Sequence, residues 1–94
     1  MYYVYIIFSE SGDCYYKGVT NDPLRRLDEH NQGMSRYTSK FNDWKLVYLE
    51  IFDIKRHALI REKVIKKYSK RQINELIQSS KNQLNIFLNI DINK

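Results

Sequence analysis

Residues 15–31 read Tyr15-Tyr16-Lys17-Gly18-Val19-Thr20-Asn21-Asp22-Pro23-Leu24-Arg25-Arg26-Leu27-Asp28-Glu29-His30-Asn31, and they pass from strand to turn to helix in one short unit. Tyr15 to Thr20 is aromatic and β-branched around a single Gly18, which suits an extended segment. Asn21 and Asp22 are N-cap types, and Pro23 fits the first helical position. Arg26 and His30 stand four apart and share one face of the helix that follows. A phenol, a guanidinium and an imidazole are thus gathered in one small unit, which few purely structural units require.

Working outward from this stretch, Tyr2 to Phe8 forms an unbroken apolar and aromatic run, and its length and β-branched content favour a buried strand. Tyr3, Tyr5 and Ile7 share one face of it and Tyr2, Val4, Ile6 and Phe8 the other. Ser9 to Asp13 is a turn, so Cys14 to Thr20 returns as the second arm of an antiparallel hairpin. Tyr5 and Tyr16 then lie opposite or diagonal to one another; whether they share a face depends on register.

The first helix is expected from about Pro23 to Asn31, with Leu24 and Leu27 as inner contacts and Gly33 ending it. Met34 to Asp43 is a basic polar loop, and Trp44 to Phe52 a third strand. A second helix spans about Lys55 to Tyr68, with Ala58, Ile60, Val64, Ile65 and Tyr68 as its apolar arc and Glu62 at the edge of that arc. Ser69-x-x-Gln72 is a capping-box signature for a third helix, whose core face is Ile73, Leu76 and Ile77. After Ser79 the pattern fits a strand (Leu84, Ile86, Leu88, Ile90, Ile92) or a helix (Leu84, Phe87, Leu88). The fold expected is a small single α/β (α+β) domain over residues 1–80, a three-stranded, mainly antiparallel sheet flanked by helices. Residues 81–94 follow as a C-terminal tail of undecided structure.

Charge narrows the class of partner. The 94 residues carry a net charge of +5. Arg36 to Gln72 holds eleven Lys and Arg against four acids, so the excess is concentrated there, as suits a polyanion. Eight tyrosines are many more than packing alone would select. One cysteine, Cys14, cannot form an internal disulfide, and no run approaches the ~20 apolar residues of a membrane span. These features point to a small cytoplasmic domain with no membrane partner.

Taken together, the pattern resembles the GIY-YIG nuclease domain in its short stand-alone bacterial form. Tyr3-Val4-Tyr5 stands where the first tripeptide would be and Tyr16-Lys17-Gly18 where the second would be, with ten residues between Tyr5 and Tyr16. Arg26 and His30 match the helix positions, and Glu62 matches the later acid. Tyr3, Val4 and Lys17 depart from the tripeptide residues, and Val19 stands where some relatives carry Lys. Each residue also has an ordinary structural reading: cross-strand packing for the tyrosines, a solvated helix face for Arg26, a helix-dipole contact for His30 and a surface ion pair for Glu62.

The resemblance implies a metal-dependent endonuclease acting on DNA, with RNA not excluded, structure- rather than sequence-selective, in DNA repair or recombination. It implies Glu62 as ligand to Mg²⁺ or Mn²⁺ and Arg26 as a donor to a phosphate oxygen. A tyrosine is the general base: Tyr16 is favoured, with Tyr5 or His30 orienting water or relaying the proton. Lys17, Arg36, Lys40, Arg61, Lys63, Lys66, Lys67, Lys70 and Arg71 would hold the nucleic-acid backbone, contacts that position without specifying sequence. A non-catalytic nucleic-acid-binding domain on the same scaffold is the alternative.

Overall fold

The computed structural model describes residues 1–92; the last two residues of the expected tail lie outside them. Three strands, β1 (Tyr2–Ser9), β2 (Cys14–Thr20) and β3 (Trp44–Phe52), form one antiparallel sheet in the order β2-β1-β3. Its helices are α1 (Pro23–Asn31), α2 (Lys55–Lys66), α3 (Lys70–Ile77) and α4 (Leu84–Ile92). This is the α+β architecture expected, and the C-terminal stretch resolves as a helix.

The central strand explains the layering. β1 has neighbours on both edges, and Val4, Tyr5, Ile6 and Ile7 in its middle are all buried. Alternation sends Val4 and Ile6 to one side, where they meet Tyr48 of β3, Ala58 and Ile65 of α2, and Ile73 and Leu76 of α3. Tyr5 and Ile7 go to the other side, with Trp44 and Leu49, and are covered by Leu27 of α1 and by Leu84 and Phe87 of α4. Pairing of β1 with β3 shifts register between Ile6 and Ile7, so Val47 is extra and packs on the same side as Tyr48.

Helix ends follow the local chemistry. The Asp22 side chain accepts from Arg25 N at 3.3 Å, with Pro23 as the first helical residue. Gly33, at φ +77°, closes the turn after α1. Ser69 and Gln72 form the reciprocal capping box of α3.

Three packing expectations need correction. Leu24 of α1 is exposed, and the buried residues of that helix are Pro23 and His30. On α2, Ile60 and Val64 are 53% and 44% exposed, although periodicity placed them in the core arc. The inward side is instead Ala58 and Ile65, and between them the Arg61 and Glu62 side chains are only 18% and 15% exposed. Arg61 therefore does not stand among the outward cations. Its Nε donates to Glu50 Oε1 at 3.0 Å, and the Tyr48 hydroxyl donates to the same oxygen at 2.6 Å.

Residues 82–83 are tied to the outer edge of β3. Asn82 Oδ1 accepts from Leu49 N and its Nδ2 donates to Val47 O; Gln83 N donates to Leu49 O and its Oε1 accepts from Ile51 N. α4 follows, and Phe87 meets the Tyr3 ring edge-on at 5.4 Å.

Candidate active site

Register resolves what alternation left open. Tyr5 pairs with Gly18 and Ile7 with Tyr16, so Tyr5 and Tyr16 lie diagonally on one face of the hairpin, their rings 6.4 Å apart. His30, fully buried in the last turn of α1, completes a triangle of rings at 5.0 Å from Tyr16 and 5.8 Å from Tyr5. Gly18 leaves the space that the Tyr5 ring occupies, since a Cβ there would meet the Tyr5 hydroxyl at 2.6 Å.

His30 is held at both nitrogens. Nε2 is 2.8 Å from the Tyr5 hydroxyl and Nδ1 is 2.7 Å from Thr38 Oγ1. Thr38 is fully buried in the turn after α1; its N–H donates to Ser35 O, and its carbonyl accepts from Trp44 Nε1 at 3.0 Å. Asn31 closes that loop by exchanging two hydrogen bonds with the backbone of Trp44, at 2.7 and 3.0 Å. No residue-level signal in the polar loop had marked Thr38, because one hydroxyl among Ser, Thr and Lys carries no periodicity.

Arg26 lies one turn before His30 on the same helix face. Nη1 donates to Glu29 Oε1 at 3.0 Å, and Glu29 also meets Arg25 Nε at 3.3 Å. The Arg26 hydrogen bond holds the Glu29 carboxyl below its usual range. Burial works to lower the Arg26 pKa, but Glu29 and the Tyr5 phenol outweigh it and the value is raised. Burial pushes the Tyr5 phenol up to about 12 against the pull of Arg26, and the Glu62 carboxylate adds to the rise. Burial, then the positive charge of Arg26, pushes His30 down to about 4. Tyr5 and His30 are thus both neutral near pH 7.

The structure therefore gathers the Tyr5, Tyr16 and His30 rings, and the charges of Arg26 and Glu62 act on the Tyr5 phenol. Glu62 projects from the flank of α2 with Lys66 Nζ at 3.5 Å. Among the described residues no three His, Cys, Asp or Glu side chains converge as a metal cage. The cations are less uniform than the charge count suggested. Arg36, Lys40, Lys63 and Lys67 are exposed and Lys17 half-buried, all without ion pairs among the described residues, whereas Lys66, Lys70 and Arg71 pair with Glu62, Asp13 and Glu75. No helix among the described residues is long and apolar enough to cross a membrane.

Comparison with known proteins identifies the family. Residues 1–75 match the family described as the GIY-YIG catalytic domain. A UPF0213 protein of Clostridium perfringens is 41% identical over 80 residues, covering 84% of this chain and 85% of the relative. One from Haloquadratum walsbyi is 38% identical over 78 residues, covering 82% and 86%. The solution NMR structure of a UPF0213 protein from Bacillus halodurans superimposes with a TM-score of 0.55 at 30% identity, covering 86% of this chain and 87% of that one. The matched domain implies nuclease-like activity on a nucleic-acid substrate, in a family that is generally metal-dependent. The chain belongs to the GIY-YIG family, alongside the short stand-alone UPF0213 proteins.

Proposed function

We propose that this protein is a metal-dependent endonuclease that hydrolyses DNA phosphodiesters and selects its substrate by structure rather than by sequence. The observation that carries the reading is the convergence of two tyrosines, a neutral histidine and an arginine beside a half-buried carboxylate.

The donor set at Glu62 fits a hard divalent cation that keeps most of its oxygen ligands as water and substrate phosphate. The carboxylate is half-buried, and its ion partner Lys66 is a long, exposed side chain free to swing away. Mg²⁺ or Mn²⁺ held there by Glu62 would supply Lewis-acid polarisation of a phosphate oxygen.

The chain's own residues divide the remaining work. Tyr16 is half-buried on the shared face, its hydroxyl bonded to no other described residue, and it is the group placed to take a proton from the attacking water. Arg26 brings a fixed positive charge to this cluster. Arg26 also offers its fork of donors to the phosphate where charge develops. Tyr5 and His30, locked to each other and neutral, orient the water and leave it reactive. Lys17, Arg36, Lys40, Lys63, Lys66, Lys67, Lys70 and Arg71 hold the backbone on either side.

A second reading, nucleic-acid binding without catalysis, draws on one observation: Arg26 and Glu62 are already paired with Glu29 and Lys66. Incubation with supercoiled plasmid and Mg²⁺ or Mn²⁺ separates the two. The proposal expects nicking that Glu62→Gln abolishes while DNA binding survives. Binding without metal-dependent nicking, across duplex, flapped and branched DNAs and RNA, would establish the second reading instead.

A further inference from the structure

We propose that Thr38 is a positioning residue for this site: its hydroxyl accepts the Nδ1–H of His30, fixing the ring tautomer whose bare Nε2 accepts the hydrogen bond of the Tyr5 hydroxyl. The catalytic consequence rests on the nuclease reading; the hold on the ring does not.

The argument is a count of donors and acceptors in a closed space. A neutral imidazole carries one proton, so one nitrogen donates and the other accepts. With the proton on Nδ1, three bonds form in a single direction. Tyr5 O–H donates to Nε2, Nδ1–H donates to Thr38 Oγ1, and Thr38 O–H donates to Ser35 O, at 2.8, 2.7 and 3.4 Å. With the proton on Nε2, only two form. Thr38 would donate to Nδ1 and Nε2 to Tyr5, and the Tyr5 proton would have to leave the pair. Tyr5 is 2% exposed, and among the described residues its hydroxyl has no other hydrogen-bond partner. A buried donor without an acceptor is disfavoured.

Direction matters for the chemistry. A Tyr5 proton aimed inward at His30 leaves the phenol lone pairs free to accept. The pair then presents an acceptor, not a competing donor, to an attacking water. Thr38 can impose this because it is itself held: Trp44 Nε1 fixes its carbonyl and Ser35 O receives its N–H. Such outer partners routinely set the tautomer of a working histidine.

Nitrogen-15 NMR of the imidazole rings in the free protein tests the proposal without any need for turnover. The chain has two histidines, so a His57→Gln variant assigns the His30 signals. The expected wild-type result is a protonated Nδ1 and an unprotonated Nε2 on His30. Thr38→Val, which keeps the shape and removes the hydroxyl, should shift the ring toward a tautomer mixture. It should also lower kcat roughly tenfold or more with DNA affinity little changed, the pattern of a lost outer-shell partner. Thr38→Ser should recover most of both. A His30 protonated on Nε2 in the wild type would overturn the proposal, and so would a Thr38→Val protein with wild-type ring signals and turnover. A wild type that cleaves no nucleic acid would defeat the nuclease reading, while the ring signals would still decide the role of Thr38.

Discussion

Tyr5 and Gly18 face each other across the β1–β2 ladder, and position 18 has no room for a side chain because a Cβ would come within 2.6 Å of the Tyr5 hydroxyl. The Tyr5 ring is buried and bonded to His30, so it cannot swing aside at low cost. Gly18→Ala should therefore destabilise the fold by about 1–3 kcal/mol, the usual range for overpacking. It should also break the Tyr5–His30 bond and lower cleavage. Denaturant unfolding and plasmid nicking read the two effects; an alanine protein with wild-type stability and activity would show that the ring moves freely.

The two site tyrosines differ in what their hydroxyls touch. The Tyr16 hydroxyl has no hydrogen-bond partner among the described residues, whereas the Tyr5 hydroxyl holds His30. Tyr16→Phe should keep full stability and lose cleavage by roughly 10² to 10⁴-fold, the range for a general base. Tyr5→Phe should cost stability of about 1–3 kcal/mol, by leaving the buried Nε2 unpaired. An equal or larger kinetic loss in Tyr5→Phe than in Tyr16→Phe would move the base role to Tyr5.

Acid should weaken the fold through His30. Its pKa falls from 6.5 to about 4 on folding, chiefly by burial, so the unfolded chain binds the proton more readily. Stability is full above pH 6.5 and is lost progressively as pH falls toward about 4. Thermal unfolding across this window should show the decline, and His30→Gln should flatten it. An equally steep decline in His30→Gln would assign the acid sensitivity to other groups.

DNA binding should fall steeply with salt, and unequally by residue. If Lys17, Arg36, Lys40, Lys63 and Lys67 neutralise about five phosphates, log K should fall against log salt with a slope near −4.5. Lys67→Ala should flatten that slope by about one unit. Lys70→Ala and Arg71→Ala should change it less, because each cation already has an acidic neighbour. Titrations at several salt concentrations measure all three, and a slope near zero would deny the surface any role with nucleic acid.

Most of the architecture is legible in the sequence because its signals are local. The apolar run of β1, the Asp22-Pro23 start of α1 and the Ser69–Gln72 box each depend on a few adjacent residues. The sharing of a face by Tyr5 and Tyr16 was not readable, since register is a property of two strands. On α2 the pattern misled: Ile60 and Val64 are apolar yet exposed, while the Arg61 and Glu62 side chains turn inward, Arg61 to pair with Glu50. Thr38 was invisible because its importance comes from what the Trp44–Asn31 clamp holds it against.

The amides of Asn82 and Gln83 act as a rudimentary fourth strand, filling backbone positions on β3 that would otherwise accept another extended chain. A peptide seeking to lengthen this sheet finds that margin taken. The opposite margin is β2, whose outward backbone receives no hydrogen bond from another element among the described residues. An extended visitor would lie alongside Tyr16, Lys17 and Gly18, so a segment added to this sheet would sit at the candidate active site.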